Sequence, residues 1–324
     1  MKTSKHFVLC CIGFLCRLVV PAQQTPSPDE KIPYACTFGR EAEKNWGDDD
    51  FVQIFFFVVP ETYKKPVYIR IFDPEVGGSV DEIHGAVNTR CRFSVYGGAK
   101  AHSHPDAKSQ EPVGEYKSGF LLSTRTFSNE KAYDNQWYTM GPFNPAEGEL
   151  QPEFGGRLFK IVIEGLEGDD GNLYRLFLSS NANENSPVEG GNTFAYEYTF
   201  RLSDAKGSVS HLYPFVGPKV TAVKIKIFDF DNDGLIRTVS VAKRGEINKS
   251  NSNGTWSENT HKICKEEVNT SLDIQFIKQK EIRNNNVVVV ISNQYGELMP
   301  FYTTPIGGVP KFMYKINYKA EEDE

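Results

Sequence analysis

Val223-Lys224-Ile225-Lys226-Ile227-Phe228-Asp229-Phe230-Asp231-Asn232-Asp233-Gly234 runs from a strand into an acidic turn. Val223, Ile225 and Ile227 alternate with Lys224 and Lys226, the period of two of a half-buried strand. Asp229, Asp231 and Asp233 then alternate, and Gly234 follows, a residue free to take positive φ. Carboxylates at i, i+2 and i+4, closed by a glycine, form the front half of a calcium loop.

The phrase occurs earlier as Val67-Tyr68-Ile69-Arg70-Ile71-Phe72-Asp73-Pro74-Glu75-Val76-Gly77-Gly78. Working outward from both copies, the same order of strands recurs. Phe51–Val59 opens the first copy as a nearly continuous apolar run, the pattern of a strand covered on both faces. His211–Gly217 opens the second, weakened by Pro214. Thr89–Tyr96 matches Ile236–Ala242. Arg157–Glu164 and Leu173–Ser179 read as a hairpin about the acidic turn Gly165–Asn172, and Leu272–Ile277 and Asn286–Ser292 follow in the second copy. Thr193–Leu202 closes the first copy and Lys311–Lys319 the second. Trp137 and Trp256 sit at similar places, the latter in a polar loop. No stretch reads as an amphipathic helix. The expectation is an all-β chain of two tandem β-sandwich domains of jelly-roll type, 50–204 and 208–320.

Composition agrees. Aromatics are 13% of the 324 residues, with 23 Phe and 15 Tyr, and 27 Gly and 18 Pro supply turns; this mixture favours strands. A net charge of −6 argues against a nucleic-acid partner, which needs a basic surface. Residues 1–22 read as a signal peptide: Lys2 and Lys5, a short apolar run from Phe7 to Cys16, then Val20-Pro21-Ala22 before a cut at Gln23. The protein is therefore expected to be exported, to the periplasm, cell surface or medium, with no membrane-spanning segment in the mature chain. Residues 23–49 read as a leader and linker, polar and proline-rich at first and ending in Asp48-Asp49-Asp50. Of the cysteines outside the signal, Cys36 and Cys91 are either a disulfide or buried thiols, and Cys264 is left over. Asn248-Lys-Ser, Asn253-Gly-Thr and Asn269-Thr-Ser are glycosylation sequons, meaningful in a eukaryote, and mark 245–270 as an exposed loop.

The acidic turns are the first candidates for chemistry. In the second copy Asp229, Asp231 and Asp233 offer carboxylates and Leu235 a carbonyl. The twelfth loop position, where an EF-hand carries Glu, is Ser240, so the remaining ligands must come from another loop. In the first copy Asp73, Glu75 and Asp81 are expected to meet Asp169, Asp170 and Asn172, and two acidic turns so close would repel without a cation. Ordinary solvated turns are the plain alternative. His102 and His104 at i, i+2 are a weaker metal pair. The chain carries no nucleophile elbow, HExxH, P-loop or dinucleotide fingerprint, so the expectation is a non-catalytic protein. Trp137, Tyr138 and Trp256 are candidate sugar-stacking residues, although such rings more often pack in the core.

The Ile-Phe-Asp acidic turn, the strand ending in Tyr96-Gly97-Gly98, and Gly168-Asp-Asp-Gly-Asn-Leu-Tyr174 resemble the small β-sandwich modules of pre-peptidase C-terminal type appended to secreted bacterial proteins. The signal end Pro21-Ala-Gln-Gln24 is similar to that of exported proteins of the Bacteroidota. The resemblance implies a calcium-binding module acting in adhesion, targeting or assembly at the cell surface, with other surface or secreted proteins, or glycans, as partners. A carbohydrate-binding protein and a small secreted hydrolase are the alternatives.

Overall fold

The repeat read from the two Ile-Phe-Asp turns extends to the order of the main strands in both sheets. A computed structural model describes residues 23–108, 111–230, 234–243, 245–250 and 254–307. The signal segment and Lys311–Lys319 lie outside the described residues. The first pass of the chain forms β1 (Gln24–Thr25), β2 (Tyr34–Phe38), β3 (Val52–Pro60), β4 (Val67–Phe72), β5 (Arg90–Gly97), β6 (Phe120–Phe127), β7 (Trp137–Phe143), β8 (Glu149–Gln151), β9 (Gly156–Glu167), β10 (Gly171–Ser179) and β11 (Asn192–Ala195). The second forms β12 (Glu197–Arg201), β13 (Val209–Pro214), β14 (Ala222–Phe228), β15 (Gly234–Val239), β16 (Glu246–Asn248), β17 (Trp256–Lys262), β18 (Asp273–Lys278), β19 (Asn286–Asn293) and β20 (Phe301–Tyr302). Helical turns are confined, among the described residues, to 3₁₀ pieces of three or four residues. None of them is long and apolar enough to cross a membrane.

The strands make two large antiparallel sheets. One runs β7-β4-β10-β2-β12-β19-β14-β17, the other β6-β5-β9-β3-β11-β20-β13-β18-β15-β16. Setting aside the short β1 and β8, each sheet has the same order read from either end. The copies join where β2 meets β12, with Ala35 opposite Phe200, and where β11 meets β20, with Phe194 opposite Tyr302. Aromatic side chains cross the space between the sheets in both copies. Phe93 of β5 meets Tyr174 of β10 edge-on at 5.3 Å, and Phe276 of β18 meets Phe200 of β12 at 5.6 Å. Such pairs add about 0.5–1.5 kcal/mol to the burial itself.

The local patterns are those of the sequence. Val223, Ile225 and Ile227 are fully buried, as are Val67, Ile69 and Ile71. β3 is covered on both faces, Phe55 and Phe57 facing the main core and Phe56 and Val58 a second cluster with Phe194 and Tyr196.

Several expectations are corrected. β9 and β10 are not a hairpin: β9 pairs with β3 and β5, β10 with β2 and β4, and the Gly168–Asp170 turn carries the chain from one sheet to the other. Thr193–Leu202 breaks at Tyr196 into β11 and β12, which lie in different sheets; β12 does not close the first copy but pairs with β19 of the second. Residues 23–33 are no flexible leader, since Gln23, Thr25, Ser27 and Glu30 are buried and β1 pairs with β10. Trp256 begins a strand, β17, and β16 also falls in the expected 245–270 loop.

Candidate metal centre

β4 ends at Phe72, opposite Trp137 of β7. The chain leaves the sheet there through Asp73, whose φ is +56°. Asp tolerates this left-handed conformation because its short side chain bonds locally. Its backbone N–H donates to the Gln136 carbonyl at 2.9 Å, and its Oδ1 accepts from the Asn135 N–H at 2.8 Å. The acidic turn is thereby fixed to the turn that precedes β7.

That turn brings in an acid which the sequence reading missed, Asp134. Oxygens of Asp73, Glu75 and Asp134 all lie within 4.8 Å of one another. Asp73 and Glu75 are buried. Glu75 Oε2 accepts from the Glu130 N–H at 3.1 Å, and Asp134 Oδ1 from the Asn135 side chain at 2.7 Å. Asp73 Oδ2 is sealed from solvent and has no hydrogen-bond partner among the described residues. Gly78 lies beneath the group, where a Cβ would come within 2.2 Å of Asp134 Oδ1.

The carboxyls strain against one another. Burial, then the neighbouring Asp134, pushes Asp73 up to about 6, with Arg175 pulling it partly back. Burial and the charges of Asp73 and Asp134 push Glu75 to about 7. Asp81 rises to about 8, chiefly by burial and further by Asp73 and Glu75. The donor set is all oxygen, the choice of a hard cation. Two oxygens bound to one calcium ion lie at most about 4.6–5.2 Å apart, twice its ligand distance, and the three carboxylates are close enough together to share one ion.

The two acidic turns of the first copy do meet. Asp81 Oδ1 accepts from Leu173 N–H and Oδ2 from Gly77 N–H, both at 2.8 Å, and Asn172 Nδ2 donates to the Pro74 carbonyl at 3.0 Å. Asn172 Oδ1 is buried without a partner among the described residues. Asp170 stands apart from the carboxylate group. Its oxygens accept from the backbone N–H groups of His84, Asn88 and Thr89 at 2.9–3.1 Å, which makes it a clamp on the 84–89 loop. Asp169 is likewise outside the group, its N–H donating to Asn88 Oδ1. In the second copy Asp229 is buried with φ +58°, and its Oδ1 accepts from Gly254 N–H at 2.8 Å. Asp231 and Asp233 lie outside the described residues.

No protein-family model matches the chain, and no curated protein matches it.

The remaining candidates have other partners. His102 is buried in a cage of Phe56, Phe154 and Phe194, with Nε2 2.9 Å from the Tyr196 hydroxyl, whereas His104 Nε2 pairs with Glu115 at 3.0 Å. The two rings do not converge on one point. Trp137 carries the Arg70 guanidinium over its ring and Phe72 beside it, and Trp256 likewise carries Lys226 and Phe228. Tyr138 packs edge-on against Phe127 and Tyr133. Cys36, Cys91 and Cys264 are unpaired thiols. Burial pushes the thiols of Cys36 and Cys91 well up, which keeps them protonated and unreactive.

Proposed function

We propose that this chain is an exported, non-catalytic calcium-binding protein that acts in binding, adhesion or assembly at the cell surface, with other surface or secreted proteins or glycans as partners. On this reading each copy is a jelly-roll module like those of pre-peptidase C-terminal type, and the ion is held at the end of β4. Asp73, Glu75 and Asp134 supply its carboxylates, with Asp81 beside them. The observation that carries the reading is Asp73 Oδ2, buried and without a hydrogen-bond partner among the described residues, in a carboxylate that gathers with those of Glu75 and Asp134. An orphaned buried acceptor costs about 1–3 kcal/mol, and an ion removes that cost together with the mutual repulsion. The ion would hold the 73–82 loop against the turn before β7 and so rigidify one end of the sandwich, where a partner can be met by ordered loops.

The test is thermal unfolding of the mature chain in chelator and in calcium. Binding to the folded state alone stabilises by about 2.7 kcal/mol at 100 times the dissociation constant. Glu75→Gln with Asp134→Asn should remove the part of the calcium-induced rise that this site supplies. A rise identical in wild type and double variant would reject the site.

A further inference from the structure

The tryptophans marked in the sequence for sugar stacking each have a face taken, Trp137 by Arg70 and Trp256 by Lys226. Phe120, at the start of β6, has not. It is 66% exposed, and its ring enters no aromatic or cation–π contact among the described residues. The ring rests on Gly98, whose φ is +65° and where a Cβ would come within 2.2 Å of it. Glycine allows both the left-handed turn and that close approach.

Phe120 lines a cavity of about 650 Å³, together with Lys100, Glu115, Lys117 and Ser118. That is the size of a small-molecule site. Both of its sides are pinned from within the protein. Lys160 of β9 is fully buried, and its Nζ donates to the Tyr116 carbonyl at 2.6 Å and to Ser118 Oγ at 3.2 Å. Glu164, also of β9 and buried, accepts from the Tyr116 hydroxyl at 2.8 Å and pairs with Lys117 at 2.6 Å. On the other side Glu149 accepts from the Lys100 N–H at 3.1 Å and fixes that residue at a φ of +72°. Burying a charge is costly unless it is bonded, and here two such charges hold the 116–118 turn in place. Walls set in advance lose little freedom when a ligand binds.

The charges of the lining are not equivalent. Lys117 is committed to Glu164, and Glu115 to His104 at 3.0 Å. Lys100 is exposed, and its Nζ makes no hydrogen bond or ion pair among the described residues. The cavity therefore offers an open aromatic ring, one uncommitted cation and the Ser118 hydroxyl. We infer that it binds a hexuronate unit of an acidic glycan, with the apolar face of the pyranose against Phe120 and the carboxylate toward Lys100. The ring buries the C–H face of the sugar, and a bond between ammonium and carboxylate is charge-assisted and about twice as strong as a neutral one. The inference rests on the reading of glycans as partners proposed above, not on the ion, and it names the class of sugar and its place.

The experiment titrates the full mature chain, in chelator so that no ion bridges sugar and protein, with trigalacturonate, trimannuronate and a hyaluronan tetrasaccharide. Isothermal titration and saturation-transfer NMR read the binding. At least one of the three should bind, and the same glycan with its carboxylates methyl-esterified should bind about tenfold more weakly. Phe120→Ser should weaken the acid at least about tenfold. Lys100→Asn, which tolerates the left-handed backbone, should bring the acid down to the level of its ester. Tyr295→Ser is the control, since Tyr295 is 79% exposed on the second copy, and it should change nothing. The exposure of Phe120 and Lys100 leaves the folding of their variants intact, which the thermal midpoint checks. No binding of any of the three glycans at about 10 mM would overturn the inference. So would an ester that binds as well as its acid, or a loss shared equally by Phe120→Ser and Tyr295→Ser. Calcium-induced stabilisation is a separate readout: its absence beside intact glycan binding would reject the ion and leave this site standing.

Discussion

Asp73 and Asp229 hold the same station in the two copies. Each follows an Ile-Phe pair at the end of a strand, with φ of +56° and +58°. Each gives its backbone N–H to the carbonyl one residue before a tryptophan, Gln136 for Asp73 and Thr255 for Asp229. Each accepts at Oδ1, at 2.8 Å, from the N–H of the residue before that, Asn135 and Gly254. The aspartate thus has a backbone role in both copies that is separable from any role in holding an ion.

That separation can be measured. Asp229→Asn keeps both the acceptor and the tolerance of positive φ, and should change stability by less than about 0.5 kcal/mol in chelator. Asp229→Ala loses the acceptor and must hold alanine in the left-handed region, at about 2–3 kcal/mol in all. Urea unfolding in chelator decides it. Equal effects of Asn and Ala would show that the side-chain bond contributes nothing.

Glu82 and Arg201 make a buried ion pair across the copies. Glu82 also accepts from Asn286 Nδ2, and Arg201 donates to Asn284 and Asn286. On the first-copy side His84 bonds Glu82 and stacks on Trp46 at 3.6 Å. Removing one partner of such a pair leaves a buried charge and costs about 3–5 kcal/mol. Arg201→Met should therefore be severely destabilising. Arg201→Met combined with Glu82→Met should recover much of the loss. A double variant as poor as the single one would mean that the cost lies in packing rather than in charge.

The strands of this fold are legible because their evidence is local: alternation marked β4, β5, β14 and β15 within a few residues of their ends. Pairing was not legible. The Gly168-Asp-Asp-Gly turn has the composition of a hairpin, but its flanking strands pair in different sheets, and the turn is held by residues far away in sequence, Gly39, Glu41 and the 82–89 loop. One residue, Tyr196, moves the chain from one sheet to the other inside an unbroken alternating run. The candidate site divides in the same way. Asp73 and Glu75 stand two apart in a recognisable turn. Asp134 belongs to an Asp-Asn pair like any other loop, and its one signal is that it precedes Trp137 as Asn253 precedes Trp256.

Asp170 provides a control for ion effects. Its carboxylate holds three backbone N–H groups and its own N–H donates to Thr89 Oγ1 at 2.7 Å. Asp170→Ala orphans those donors at about 1 kcal/mol or more each, and should cost about 3 kcal/mol equally in calcium and in chelator. Hydrogen exchange at His84, Asn88 and Thr89 should speed up. An effect seen in calcium alone would give Asp170 a part in ion binding instead.

His102 makes stability depend on acidity. Burial among Phe56, Phe154 and Phe194, then the charge of Lys108, pushes its pKa down to about 3, with Glu149 opposing and Lys160 adding to the fall. Glu149 itself accepts from the N–H groups of Lys100, His102 and Ser103, which pins the ring's backbone. In the unfolded chain the imidazole titrates near 6.5. Between those values the unfolded state binds a proton that the folded state refuses. The stability that His102 supplies is therefore complete above about pH 6.5 and falls as the pH drops toward 3. From pH 7 to pH 5 the loss is about 2 kcal/mol. His102→Gln keeps a partner for the Tyr196 hydroxyl and removes the titration. Urea unfolding of both proteins at the two pH values isolates the effect, because every other group is shared. Wild type should lose about 2 kcal/mol more than the variant; equal losses would mean that the folded protein admits the proton and that the aromatic cage opens to receive it.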